Sequence, residues 1–126
     1  KYNEVSLDLV KEILEEAAKI NQNLILPLAV AGDENPAKLE NGVVRTPPGY
    51  KEAYDKYIED GWVSLSCDPK YGGQGMPKTV SAFFDEMLSA TSLSFKLYSE
   101  LTIGAYNCIL KHAAEDMKDK YLPKMF

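Results

Sequence analysis

Apolar residues recur at three- and four-residue steps along most of this chain, a periodicity that predicts helices. From Ser6 to about Val30, the residues Val10, Ile13, Leu14, Ala17, Ile20 and Leu24 fall on one face. Ser6 stands where an N-cap is needed, and Asp8 brings a negative charge to the first turn. Glu15 and Lys19 have the spacing of an i,i+4 ion pair. Pro27 interrupts the pattern, so the helix is expected to end near Leu26 or to kink. From Ala31 to Pro48 turn formers dominate, and the segment reads as a connector with Val43 and Val44 as a short extended piece.

A second helix is predicted from Pro48 or Gly49 to about Asp60, stopped by Gly61. Tyr50, Ala53, Tyr54, Tyr57 and Ile58 form its apolar side, and Trp62 to Leu65 is expected to pack beneath the helices. A third helix starts near Pro77, with Val80, Phe83, Phe84, Met87 and Leu88 on its buried face. The run from Ser92 to about His112 carries Leu97, Leu101, Ala105 and Ile109 at four-residue spacing. It is apolar over so much of its circumference that it is expected to be central. A short last helix has Glu115 and Asp116 in its first turn and an expected Asp116–Lys120 pair. The sum is an all-α domain over residues 1–126, an irregular bundle of five or six helices with one long loop.

The charge balance narrows the partners. Fourteen Lys and Arg against 19 Asp and Glu leave a net charge of −5, which argues against nucleic acid or an anionic membrane as the main partner. No apolar run is long enough to span a bilayer. The start, Lys1 to Val5, lacks the order of a signal peptide and has no initiator Met, so the chain is expected to be a piece of a longer, cytoplasmic protein. Cys67 and Cys108 have no metal-type spacing and read as two reduced thiols packed as small hydrophobes.

Few residues invite chemistry. Gly72-Gly73-Gln74-Gly75 resembles a phosphate loop only in its glycines; it lacks the Lys-Ser/Thr of a P-loop, and a tight turn is the expectation. His112 is the only histidine, so no His pair exists for a metal and no Ser-His-Asp or Cys-His arrangement can be argued; no metal site is expected. Glu100 interrupts the most apolar helix and reads as a rim residue.

Two stretches stand out: Asp60-Gly61-Trp62 followed by Asp68-Pro69-Lys70-Tyr71-Gly72-Gly73-Gln74-Gly75, and the run from Glu115 through Lys120-Tyr121-Leu122-Pro123-Lys124-Met125. Together they resemble the N-terminal helical domain of the flavin-dependent acyl-CoA dehydrogenases. The segment Thr46 to Tyr54, with Leu97-Tyr98 and Leu101 to Ala105, is similar to the branch typified by 3-methylmercaptopropionyl-CoA dehydrogenase.

The resemblance implies α,β-dehydrogenation of an acyl-CoA thioester. A glutamate base takes the α proton, and the β hydride passes to FAD. In that family the base lies in a C-terminal helical domain, and most flavin contacts come from a middle β domain and that C-terminal domain. Neither is expected in this chain, so no catalytic or cofactor-binding residue is assigned, and the chain alone is expected to be inactive and to hold no FAD. Alignment back from Tyr121-Leu122 puts Leu97, Glu100, Leu101 and Gly104 on the family's substrate-side helix, as a wall of the acyl pocket. The partners implied are acyl-CoA, an electron-transfer partner and further copies of the protein. A free-standing helical interaction module is the alternative.

Overall fold

The computed structural model describes Tyr2 and residues 4–126. The described residues form an all-α fold with one small hairpin: α1 (Leu7–Ile20), a π-helical turn (Asn21–Ile25), α2 (Leu26–Glu34), β1 (Lys38–Glu40), β2 (Val43–Arg45), α3 (Tyr50–Glu59), α4 (Lys78–Thr91), α5 (Leu93–His112) and α6 (Glu115–Tyr121). No helix among them is long and apolar enough to cross a membrane.

Ser6 caps α1 as its position suggests: its Oγ accepts from the Leu9 amide at 3.1 Å. Pro27 does not stop the helix. A proline offers no N–H and its ring crowds the carbonyl four residues back, here Asn23. The π turn widens the helix over those residues, and the helical path then continues to Glu34. The connector therefore begins at Asn35 rather than Ala31. Lys19 pairs with Glu16 at 2.5 Å, not with Glu15. Glu16 and Glu15 are the i,i+3 and i,i+4 neighbours of Lys19, and Glu15 adds only a weaker Coulombic attraction.

Within the connector β1 and β2 pair antiparallel, with Lys38 opposite Arg45 and Leu39 opposite Val44. Asn41 and Gly42 make the turn in left-handed conformations, which suits this residue pair. All six strand residues are exposed.

The core is aromatic. Tyr57 stacks on Phe84 at 6.0 Å and meets Phe95 edge-on at 5.7 Å, while Trp62 stacks on Phe84 at 4.8 Å. Ala17 and Ile25 bring α1 and the π turn onto this cluster, and Val80 and Leu88 add the inner face of α4. Phe83 is half exposed, because it stands about 100° round α4 from Phe84 and misses the Val80–Phe84–Leu88 stripe. A second cluster of Cys67, Tyr71, Tyr106 and Leu122 joins the Gly-rich loop, α5 and the C-terminal turn. Cys108 is exposed, so only one of the two thiols is packed.

α5 is not the central helix. It buries Phe95, Ser99 and Tyr106 and leaves Leu93, Leu97, Tyr98 and Leu101 exposed. Only one side of α5 meets other elements of this chain, so its broad apolar circumference is half used. In α6 the expected Asp116–Lys120 pair gives way to Lys118–Glu115 at 2.8 Å, while Lys120 lies over the Tyr121 ring. Lys70 reaches across from the Gly-rich segment to Glu115 and Asp119, both at 3.3 Å.

Candidate functional site

Each residue of an α-helix advances about 100° round the axis. Leu97, Glu100, Leu101 and Gly104 therefore share one sector of α5, turned away from buried Phe95 and Tyr106. All four are exposed, Leu101 at 78%. A methyl group added to Gly104 would meet no atom within 4 Å. Helix packing within this chain thus does not account for that glycine, nor does core packing account for the two leucines. Ser92 fixes the start of the helix through its Oγ, which accepts from the Phe95 amide at 3.3 Å.

Glu100 lies at one edge of this sector, its carboxylate 3.6 Å from the Lys96 ammonium on the preceding turn. Beside them a hollow of about 160 Å³ opens between α4 and α5, bounded by Trp62, Phe84, Asp85, Lys96, Glu100 and Ile103. Loss of water raises the Asp85 carboxyl above its usual range, while Lys96 opposes the rise. Burial pushes the Tyr57 phenol at the back of the hollow up to about 12, so it stays a neutral hydroxyl, 3.5 Å from the Ser99 Oγ. The contribution of Asp85 and Lys96 went unread in the sequence. The i,i+4 spacing of Lys96 and Glu100 was the signal available for half of it.

The Gly72–Gly75 loop is a packed turn. A Cβ at Gly73 would lie 2.3 Å from the Cys67 carbonyl oxygen, and one at Gly75 would lie 2.8 Å from the Pro69 ring. Gln74 donates its side-chain amide to the Gly61 carbonyl at 2.8 Å, and the Tyr106 hydroxyl accepts from the Asp68 amide at 2.8 Å. Gly73 admits the chain's own backbone and Gly75 the Pro69 ring, as a tight turn requires. His112 is exposed in the last turn of α5, and no cluster among the described residues could hold a metal.

The N-terminal-domain model of the acyl-CoA dehydrogenases matches residues 10–126. The chain belongs to the acyl-CoA dehydrogenase family. It is 40% identical over 124 residues to 3-methylmercaptopropionyl-CoA dehydrogenase of Ruegeria pomeroyi, which covers 98% of this chain and 21% of that protein. It is 30% identical over 123 residues to butyryl-CoA dehydrogenase of Syntrophomonas wolfei, covering 95% of this chain and 20% of that protein. A broad-specificity linear acyl-CoA dehydrogenase of Mycobacterium tuberculosis is 27% identical over 82 residues, 64% of this chain and 13% of that protein. The chain thus spans about a fifth of the length of the first two relatives. The match to the family's N-terminal-domain model agrees with the all-helical fold.

Proposed function

We propose that this chain is the N-terminal helical domain of an FAD-dependent, cytoplasmic acyl-CoA dehydrogenase, and that the bare sector of α5 is one wall of its acyl slot. The observation that carries this reading is the exposure of Leu97 and Leu101 beside Gly104. An apolar stripe with an open notch suits a flexible alkyl chain lying along the helix. Glu100 stands where that stripe meets the charged hollow and so marks a polar limit to the slot.

In this reading the flavin supplies the redox chemistry and is held by other domains of the full-length enzyme. Leu97, Leu101 and Gly104 exclude water from the acyl chain and set the length admitted, and no residue of this chain transfers a proton or a hydride. The chain alone retains no FAD and turns over no acyl-CoA. A purified sample with a near-stoichiometric flavin absorbance band would refute that.

The slot is tested in the full-length enzyme by Gly104→Leu. Filling the notch lowers kcat/KM for long acyl-CoAs about tenfold or more relative to short ones, since a methylene's worth of pocket carries ~1–3 kcal/mol. Equal loss at every chain length with a lower melting temperature would make Gly104 a packing residue against another domain instead. The same bare sector drives self-association of the chain by itself, so light scattering gives a mass above the monomer at high concentration.

A further inference from the structure

The chain has one arginine, and it is placed oddly. Arg45 ends β2 directly opposite Lys38 of β1, so two cations share one face of an exposed hairpin. Like charges in that register repel. Among the described residues neither forms an ion pair, as is also true of Lys78, Lys111, Lys120 and Lys124, but only Lys38 and Arg45 face each other across a strand pair.

Two hollows meet at Arg45. One, of about 170 Å³, is lined by Asn35, Lys38, Arg45 and Thr46 between two prolines. The other, of about 410 Å³, continues past Arg45 and Thr46 to Tyr50, Tyr54 and Tyr98. The Tyr98 ring stands 6.1 Å from that of Tyr50 and 5.8 Å from that of Tyr54. Tyr50 is fixed by a 2.9 Å hydrogen bond with Ser94, whereas the hydroxyls of half-buried Tyr54 and exposed Tyr98 have no hydrogen-bond partner within the described residues. Next to them α3 begins at Tyr50, whose amide donates to the Pro47 carbonyl at 3.3 Å, and Gly49 before it offers no side-chain cap to the amides that follow.

We propose that these joined hollows form a binding site for a nucleoside phosphate, with the phosphate between Lys38 and Arg45 and the base against Tyr54 and Tyr98. An anion between the two cations turns their repulsion into attraction, and the guanidinium fork matches two phosphate oxygens. The cleft walls are aromatic faces, which favour a planar ring over an alkyl chain. The combined size fits one nucleotide. Two cations on a chain of net charge −5 do not make the basic stripe that a nucleic-acid polymer needs. Tyr98 stands about 60° round α5 from Leu101, so the cleft borders the proposed acyl slot without sharing any of its four residues.

The test is titration of the chain with AMP, adenosine, inorganic phosphate and coenzyme A, followed by two-dimensional NMR. AMP is expected to shift the resonances of Arg45, Tyr54 and Tyr98 and to bind about tenfold more tightly than adenosine or phosphate alone. Arg45→Ala and Tyr98→Ala each weaken AMP about tenfold, while Lys111→Ala, a cation elsewhere on α5, leaves it unchanged. Added salt weakens AMP and not adenosine. If coenzyme A binds more tightly than AMP, the nucleotide belongs to the thioester carrier; if equally, a free nucleotide is the ligand. AMP that binds no better than adenosine, that ignores Arg45→Ala, or that shifts no residue of the cleft would overturn the proposal.

Discussion

Gly104→Ala in the chain by itself should raise stability, although it alters a residue assigned to a binding wall. Gly104 lies inside the 20-residue helix α5, where glycine is about 0.8–1.0 kcal/mol worse than alanine. The added methyl meets no atom within 4 Å, so no clash offsets that gain, and little burial adds to it. The net expectation is ~1 kcal/mol. Unfolding entropy near the midpoint is about 2.1 cal/mol/K per residue, or ~0.26 kcal/mol/K for 126 residues. The melting temperature should therefore rise by ~4 °C. The assay is thermal unfolding followed by far-UV circular dichroism, at a concentration where light scattering gives a monomer. A melting temperature that falls would mean that Gly104 packs against something within the chain, and the bare sector of α5 would be wrongly drawn.

Tyr106→Phe removes the acceptor of the Asp68 amide at a fully buried ring, and should lower stability by about 1–2 kcal/mol. Hydrogen exchange at Asp68 should quicken with it, and an unchanged amide would refute the link between the Gly-rich segment and α5. Burial pushes the Cys67 thiol up to about 11 and Cys108 is exposed, so a disulfide reagent at pH 8 should count one fast thiol in the native chain and two in denaturant. Lys118 and then Lys70 hold the Glu115 carboxyl below its ordinary 4.5. A depressed folded value means that the support is complete above pH 4.5 and is lost as pH falls through the depressed value. Glu115→Gln should flatten that acidic limb in melts taken across pH, and an unaltered limb would assign it to other carboxylates.

What the sequence determined by itself is the set of helices and the ends that carry local chemistry. Ser6 and Ser92 accept from backbone amides three residues on, and Gly61 takes the left-handed conformation that ends α3; each effect acts within one turn. The i,i+4 stripe of Val80, Phe84 and Leu88 found its core for the same reason, since helical period fixes which residues share a face. The segments around Tyr71–Gly75 and Tyr121–Pro123 carry in sequence a resemblance to the family whose N-terminal-domain model matches residues 10–126.

Tertiary structure decided which apolar faces are used. Period alone gives α5 apolar residues nearly all round; only the positions of α3 and α4 settle that Phe95 is buried and Leu101 is bare. The same holds for Pro27, where a π turn packed against α4 precedes a residue that local propensity reads as an end or a kink, and the helical path continues. Lys70 shows the limit most plainly. Its carboxylate partners Glu115 and Asp119 stand more than 40 residues away in sequence, and an ion pair at that separation exists only once the two segments have been folded together.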